Sequence, residues 1–458
     1  MTRVLEFIVA LIIVAVVGVV VGVIMPSSGH IERSLVVSKD LRQVYDVVNN
    51  FRTFPDYGVL RAYDAKTQYT LTGNAYGPGS EISWSSQDEK VGDGKLTIAT
   101  SQPEFDKIDP TVNSGEIVWN IDNAWRGSDK HFTLDLLRQG NSGKLTKITW
   151  AYDVTYGFNL VDRYSSMYIH GEPDGFIQYS LNNLQNVLAG IPNVDYSDLV
   201  PYMAQTKPTP VLLVSESIDL KGGLLEGLGD VVPKAVSELQ AAAKKLGVNV
   251  TGPRIIYTTN FGDQKYTFDV AVPIDASSLT VGGQSYQLAA ATPPALDNQA
   301  PASSSTAPAP AESTTPGSKD RNGRLIVDDN VRALLAFGGP ALTAKWNGTA
   351  VGVKNTREQL EAYADTHGLK FDEILNRSYD IEVAPEVKDA SGAISTYAQY
   401  DVYLPIADST NMTATLPQQT PEQQAGIKQP GLLSATAPAS SSTAPAPAST
   451  SAAPASGH

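Results

Sequence analysis

Apolar positions along the chain fall into three patterns. The first is an unbroken run, FIVALIIVAVVGVVVGVIM from Phe7 to Met25. At 1.5 Å per helical residue it comes close to crossing a hydrocarbon layer of about 30 Å. The run is longer than a signal-peptide core, and the VIMPSSGH at its end has no small-x-small cleavage site, so the pattern predicts an uncleaved single-pass anchor over 1–27. The second pattern is alternation with a period of two. Ile82 with Trp84, Leu96 with Ile98, Ile117 with Trp119 and Ile121, Phe132 with Leu134 and Leu136, and Ile148 to Tyr156 mark the strands of an antiparallel meander. A strand in ERSLVVS precedes them, followed by a helix that Ser38 would cap and Pro55 would close, with Leu41, Val44, Tyr45 and Val48 on one face. The third pattern is helical. Ile177, Leu181, Leu184 and Leu188 form one stripe over 175–188, suited to lie across the sheet.

Farther along, the chain repeats itself. FDVAVPI at Phe268–Ile274 returns as YDVYLPI at Tyr400–Ile406. Each copy is preceded by a strand-like segment (VLLVSESI; ALTAKWNG) and a helical run that ends at a glycine turn (AVSELQAAAKKLG; TREQLEAYADTHG). The expected unit is strand, helix, strand, strand, made twice over 208–275 and 338–408 within a domain of 205–408. In the repeated strands Phe268, Val270 and Val272 (Tyr400, Val402 and Leu404) suit packing under helices, whereas Asp269 and Asp401, with Tyr403, fall on the opposite face. A mid-strand acid costs free energy if buried alone, so Asp401 is either a counter-charge for a cationic ligand or a solvent-facing residue paired with a nearby lysine. Asp269 is its pseudo-symmetric counterpart.

APASSSTAPAPA occurs at Ala300–Ala311 and again at Ala437–Ala448. Such composition cannot bury enough surface to offset chain entropy, which predicts an extended insert at about 293–320 and a disordered tail over 409–458.

Two resemblances follow. PSSGHIERSLVVSKDLRQVYDVVNNFRTFPDY, the glycine-rich GPGSEISW, the strand series and the closing helix resemble the START-like, polyketide-cyclase-like superfamily over 28–192. That resemblance implies a helix-grip α+β fold with an apolar cavity, which Trp84, Trp119 and Trp150 would line if it is open and fill as plain core if it is not. GPRIIYTTNF before YTFDVAVPI, and RSYDIEV before YAQYDVYLPI, resemble the gyrase-inhibitor-like, effector-binding family of bacterial regulators. It implies a small-molecule groove between the repeats, with the family's strand glutamate falling on the shorter Asp401 and with Trp346 and Tyr379 as further candidates. The helix-turn-helix segment of those regulators is replaced by the anchor and the first domain.

Charge and chemistry narrow the function. The 458 residues carry a formal charge of −14 and no cysteine, which argues against nucleic acid and excludes thiolate metal sites and cysteine nucleophiles. No histidine spacing suits a metal, no nucleophile elbow or phosphate loop occurs, and no cofactor or catalytic residue is expected. The expectation is a bacterial inner-membrane protein, its body periplasmic, that is anchored in the bilayer through residues 7–25 and binds hydrophobic or amphipathic small molecules without catalysis. The alternatives are a hydrolase or cyclase on such compounds, or a protein-interaction scaffold.

Overall fold

The computed structural model describes residues 2–104, 111–140, 143–220, 227–261, 264–292, 315–372 and 374–407. The two APASSSTAPAPA segments and the tail lie outside them. The chain is α+β, with one apolar N-terminal helix and two large antiparallel sheets.

Helix α1 (Thr2–Ile24) contains a 22-residue stretch, Arg3–Ile24, long and apolar enough to cross a membrane; a signal sequence would pass the same test. Strands β1 (Ser28–Val37), β2 (Gln68–Gly73), β3 (Ser80–Ser85), β4 (Gly94–Gln102), β5 (Ser114–Asn123), β6 (Ser128–Gln139) and β7 (Leu145–Thr155) make the first sheet, in the order β1-β7-β6-β5-β4-β3-β2. Hairpin connections account for every neighbour except β1, which closes onto β7 from Ser28↔Thr155 to Val37↔Thr146. At the β2–β3 turn Gly73 (φ +75°) is required, because a Cβ there would stand 2.0 Å from the Gly79 carbonyl oxygen.

Helix α2 (Leu41–Val48) is capped by Asp40, not Ser38: the Asp40 carboxylate accepts from Arg42 N at 2.8 Å while its backbone stays extended. Pro55 does not end a helix either. It occupies the first turn of the short α3 (Phe54–Tyr57), where its missing N–H costs nothing, and α4 (Leu60–Tyr63) follows. After β7 come α5 (Leu160–Tyr164), a 3₁₀ turn over Ser165–Tyr168, and α6 (Glu172–Gly190). Glu172 and Asp174 in the first turn of α6 suit its positive end, and Phe176, Ile177, Leu181, Leu184 and Leu188 are buried against the sheet.

The second sheet contains β8 (Tyr202–Gln205), β9 (Thr209–Asp219), β10 (Ile255–Phe261), β11 (Lys265–Pro273), then, past the small hairpin of β12 (Ser278–Val281) and β13 (Gln284–Gln287), β14 (Leu325–Ile326), β15 (Val331–Ala336), β16 (Pro340–Asn347) and β17 (Tyr379–Ala384). After the minor β18 (Val387–Lys388) and β19 (Ile394–Thr396), β20 (Gln399–Pro405) completes it, in the order β14-β15-β9-β11-β10-β17-β20-β16-β8. Helices α7 (Leu228–Leu246) and α8 (Ala350–Thr366) cover one face. Part of the segment expected as a loose insert is structured: Gly317 N donates to Ile326 O at 2.8 Å, and Asp320 is buried.

The two sheets meet through buried polar groups. Asp46 of α2 is fully buried; its Oδ2 accepts from Arg42 Nε at 2.8 Å and lies 2.9 Å from Tyr196 Oη, which is also 2.9 Å from Thr366 Oγ1. Asn50 Nδ2 donates to Thr366 O at 3.2 Å, and Arg52 Nη1 donates to His367 O at 3.4 Å.

Candidate functional site

Under α6 lies a cavity of about 510 Å³. Its position follows from the first sheet. Helix α6 crosses the sheet with Phe176 inward, stacked on Phe132 at 5.3 Å, while Trp125, just beyond β5, meets Phe176 edge-on at 5.7 Å. Trp84, Trp125, Phe176, Tyr63, Leu60 and Tyr179 supply most of the apolar wall, and Lys90, Asn123, His170, Glu172, Asp174 and Gln178 line it as well. Arg33 holds Asp174 through two 2.7 Å hydrogen bonds, and that bonding keeps the Asp174 carboxyl below its ordinary pKa. Burial raises the Tyr63 phenol. A second chamber of about 330 Å³ adjoins it, sharing Trp125, Gly171 and Glu172 and adding Tyr152, Tyr168 and Ile169.

The three tryptophans expected here separate. Trp84 lines the cavity. Trp119 and Trp150 are fully buried and meet edge to face at 5.2 Å, as core. The indole N–H groups of all three are buried and find no hydrogen-bond partner among the described residues. Trp125, Phe176, Tyr63 and Tyr179 were not singled out from the sequence. Phe176 is buried on α6, yet at 3.6 residues per turn it lies about 110° from the middle of the Ile177, Leu181, Leu184 and Leu188 stripe, and the others carry no periodic signal.

On the face of the second sheet opposite α7 and α8 the register aligns Ser215, Asp269, Tyr257, Tyr379, Tyr403, Thr343 and Tyr202 in one row across β9, β11, β10, β17, β20, β16 and β8. Tyr379 stacks on Tyr403 at 4.8 Å and 11°, and Tyr257 lies 5.2 Å from Tyr379. Asp401 is two residues from Tyr403 on the same face, opposite Lys345; burial raises its pKa, against the pull of Lys345. Asp269 stands three strands away, about 14 Å, so the two acids do not converge. It accepts from Ser215 Oγ at 2.6 Å and pairs with Arg324 at 3.4 Å. Beside it opens a pocket of about 140 Å³, walled by Leu213, Tyr257, Asp269, Arg324, Leu334 and Arg377 among others. Trp346 does not join this face. It pairs with Tyr400, packs toward α8 with Leu342 and Ala344, and donates its indole N–H to Thr349 O at 2.8 Å. Gly352 makes that packing possible, because a Cβ there would overlap the Trp346 ring at 1.8 Å.

No protein-family model matches the chain, and no curated protein matches it. Among solved structures it is similar to norcoclaurine synthase from Thalictrum flavum (8% identity, TM-score 0.28, 37% of this chain and 90% of that one). It is also similar to Ara h 8.0201 (10%, 0.24, 35% and 98%) and to XoxI from Bacillus cereus (14%, 0.25, 35% and 96%).

Proposed function

We propose that this chain is a membrane-anchored protein that captures a hydrophobic or amphipathic small molecule under α6 without altering it. The cavity of about 510 Å³ carries this reading. Its size suits a small ligand, its aromatic wall supplies apolar burial, and the polar groups that also line it would orient an amphipathic molecule. On this reading 28–192 is a START-like helix-grip domain, and 205–408 is a duplicated, effector-binding-like domain. The strand order on either side of β10 and β17 is the same read outward, with β11 and β20 next and β9 and β16 beyond, which supports the duplication.

The second domain would serve a smaller, cationic group. Its pocket of about 140 Å³ is too small for the ligand of the first, and Asp269 already has Arg324. The tyrosine row places the Asp401 carboxylate beside Tyr403, and a cationic group would have to compete there with Lys345. Helix α1 would hold the assembly in the bacterial inner membrane, with the body on the periplasmic side. Native mass spectrometry of the full chain, purified from its source cells, tests the reading. It predicts one apolar molecule bound per chain and retained by Asp401→Asn. A folded but empty protein that takes up no member of a panel of lipids and hydrophobic cations would instead favour a protein-interaction scaffold.

A further inference from the structure

The segment after β7 is fastened to the end of α1. Arg163 Nη1 donates to Val23 O at 2.8 Å and to Met25 O at 3.4 Å, and its Nε donates to Gly157 O at 2.7 Å. A cation on the last carbonyls of a helix suits the helix polarity. Tyr164 Oη donates to Gly18 O at 2.5 Å. A Cβ on Gly22 would press on Leu160 and Tyr164 at 3.2 Å, so the glycine lets α5 close on α1. These contacts fix the level of α5 against the anchor: Gly18 is six residues before Ile24, about 9 Å down the helix axis.

The same segment turns large apolar side chains outward. Phe158 is 95% exposed, Val161 59%, Met167 64% and Tyr168 73%. Of the polar groups carried alongside them, Asn159 caps α5 by accepting from Val161 N at 3.0 Å, Arg163 and Tyr164 bond to α1, and Asp162 pairs with Arg126 at 3.8 Å. Tyr168 and Ile169 also line the smaller chamber, which adjoins the ligand cavity. The Arg3–Ile24 stretch is about 33 Å long at 1.5 Å per residue, close to the roughly 30 Å of hydrocarbon, so a spanning α1 puts Ile24 at the hydrocarbon edge. Tyr164 must then reach below that edge, and its exposed apolar neighbours stand at headgroup depth. Apolar and aromatic side chains favour that layer.

We infer that residues 158–168 are a second membrane contact, lying in the bilayer interface, that sets the smaller chamber, walled in part by Tyr168, against lipid so that ligand enters from the membrane. The inference rests on the reading of α1 as a span. The chain has no cysteine, so single-cysteine variants of the full chain carry one fluorescent label each. Val161→Cys, Tyr168→Cys, Val14→Cys in α1, and Leu137→Cys at the far end of β6 are labelled with a nitrobenzoxadiazole dye. They are reconstituted in phosphatidylcholine–phosphatidylglycerol vesicles that contain lipids spin-labelled near the headgroup or at mid-chain. The expected result is quenching of 161 and 168 by the shallow label several-fold above that of 137, with 14 quenched by the deep label. Labels at 161 and 168 quenched no more than 137, while 14 is quenched deeply, would overturn the inference and leave the anchor standing. Labels at 161 and 168 shielded from water yet unquenched would assign the patch to a protein partner, against the inference. An unquenched label at 14 would overturn the anchor and the docking together.

Discussion

Gly175 offers a way to close the cavity without damaging the fold. It stands in the first turns of α6 and lines the cavity. A Cβ there would meet only Tyr63 Oη at 3.7 Å and the Tyr179 ring at 3.9 Å, ordinary contact distances, and the backbone does not need a left-handed conformation. Gly175→Leu therefore adds four apolar carbons to the cavity wall, the first of them at ordinary contact distance. Replacing glycine by a strong helix former contributes about 1 kcal/mol. Partial burial of the leucine adds something below the roughly 1.5–3 kcal/mol of a fully buried one. A net gain of about 1–2 kcal/mol would raise Tm by about 2–4 °C for each kcal/mol in a domain of this size. Affinity for a fluorescent fatty acid should fall at least about tenfold, a loss of roughly 1.4 kcal/mol. Titration of the probe alongside scanning calorimetry separates the two effects. A raised Tm with unchanged affinity would place the ligand elsewhere, and a lowered Tm would mean that the wall at Gly175 is already filled.

Removing Asp46 should cost far more. Asp46→Ala leaves the buried Arg42 guanidinium without its carboxylate, a loss of about 3–5 kcal/mol measurable by denaturant unfolding; a loss below about 1 kcal/mol would contradict the burial argument. Burial raises the Asp46 pKa in spite of Arg42, so the native chain holds that proton more tightly than the unfolded one does. Stability relative to Asp46→Asn should then rise as pH falls through the raised value and level off below the unfolded value of about 3.9. The opposite slope would refute this. At the tyrosine row only an ionised Asp401 can balance a cation, and burial raises its pKa. Calorimetric uptake of benzyltrimethylammonium should weaken as pH falls through that value and vanish in Asp401→Asn; uptake indifferent to both changes would remove the site.

What could be read in the sequence follows the faces of the elements. The residues from Ile148 to Tyr156 were legible as a strand because β7 buries alternate side chains, whereas β2 was not: Tyr69 and Leu71 are only half-buried on an edge strand, and the contrast between its faces is weak. Ser38 and Asp40 are both good caps, and only the backbone geometry chooses between them. The same alternation that placed Asp401 and Tyr403 together would have put Trp346 with Leu342 and Ala344, on the helix side. Contacts across long separations left no local trace. Tyr257 meets Tyr379 only through strand register, Arg324 reaches Asp269 from beyond the low-complexity insert, and Tyr196 meets Asp46 across 150 residues. Whether the inward tryptophans bound a void depends on where α6 settles, which no periodicity encodes.

Photo-crosslinking puts the central claim to its most direct test. A long-chain fatty acid carrying a diazirine is equilibrated with the full chain in vesicles, irradiated, and its attachment sites are read by peptide mass spectrometry. Capture under α6 predicts adducts concentrated on 60–63, 84–91, 123–125 and 170–179, and lost with Gly175→Leu. Adducts confined to α1, or centred on the second sheet around Tyr257 and Leu334, would contradict it.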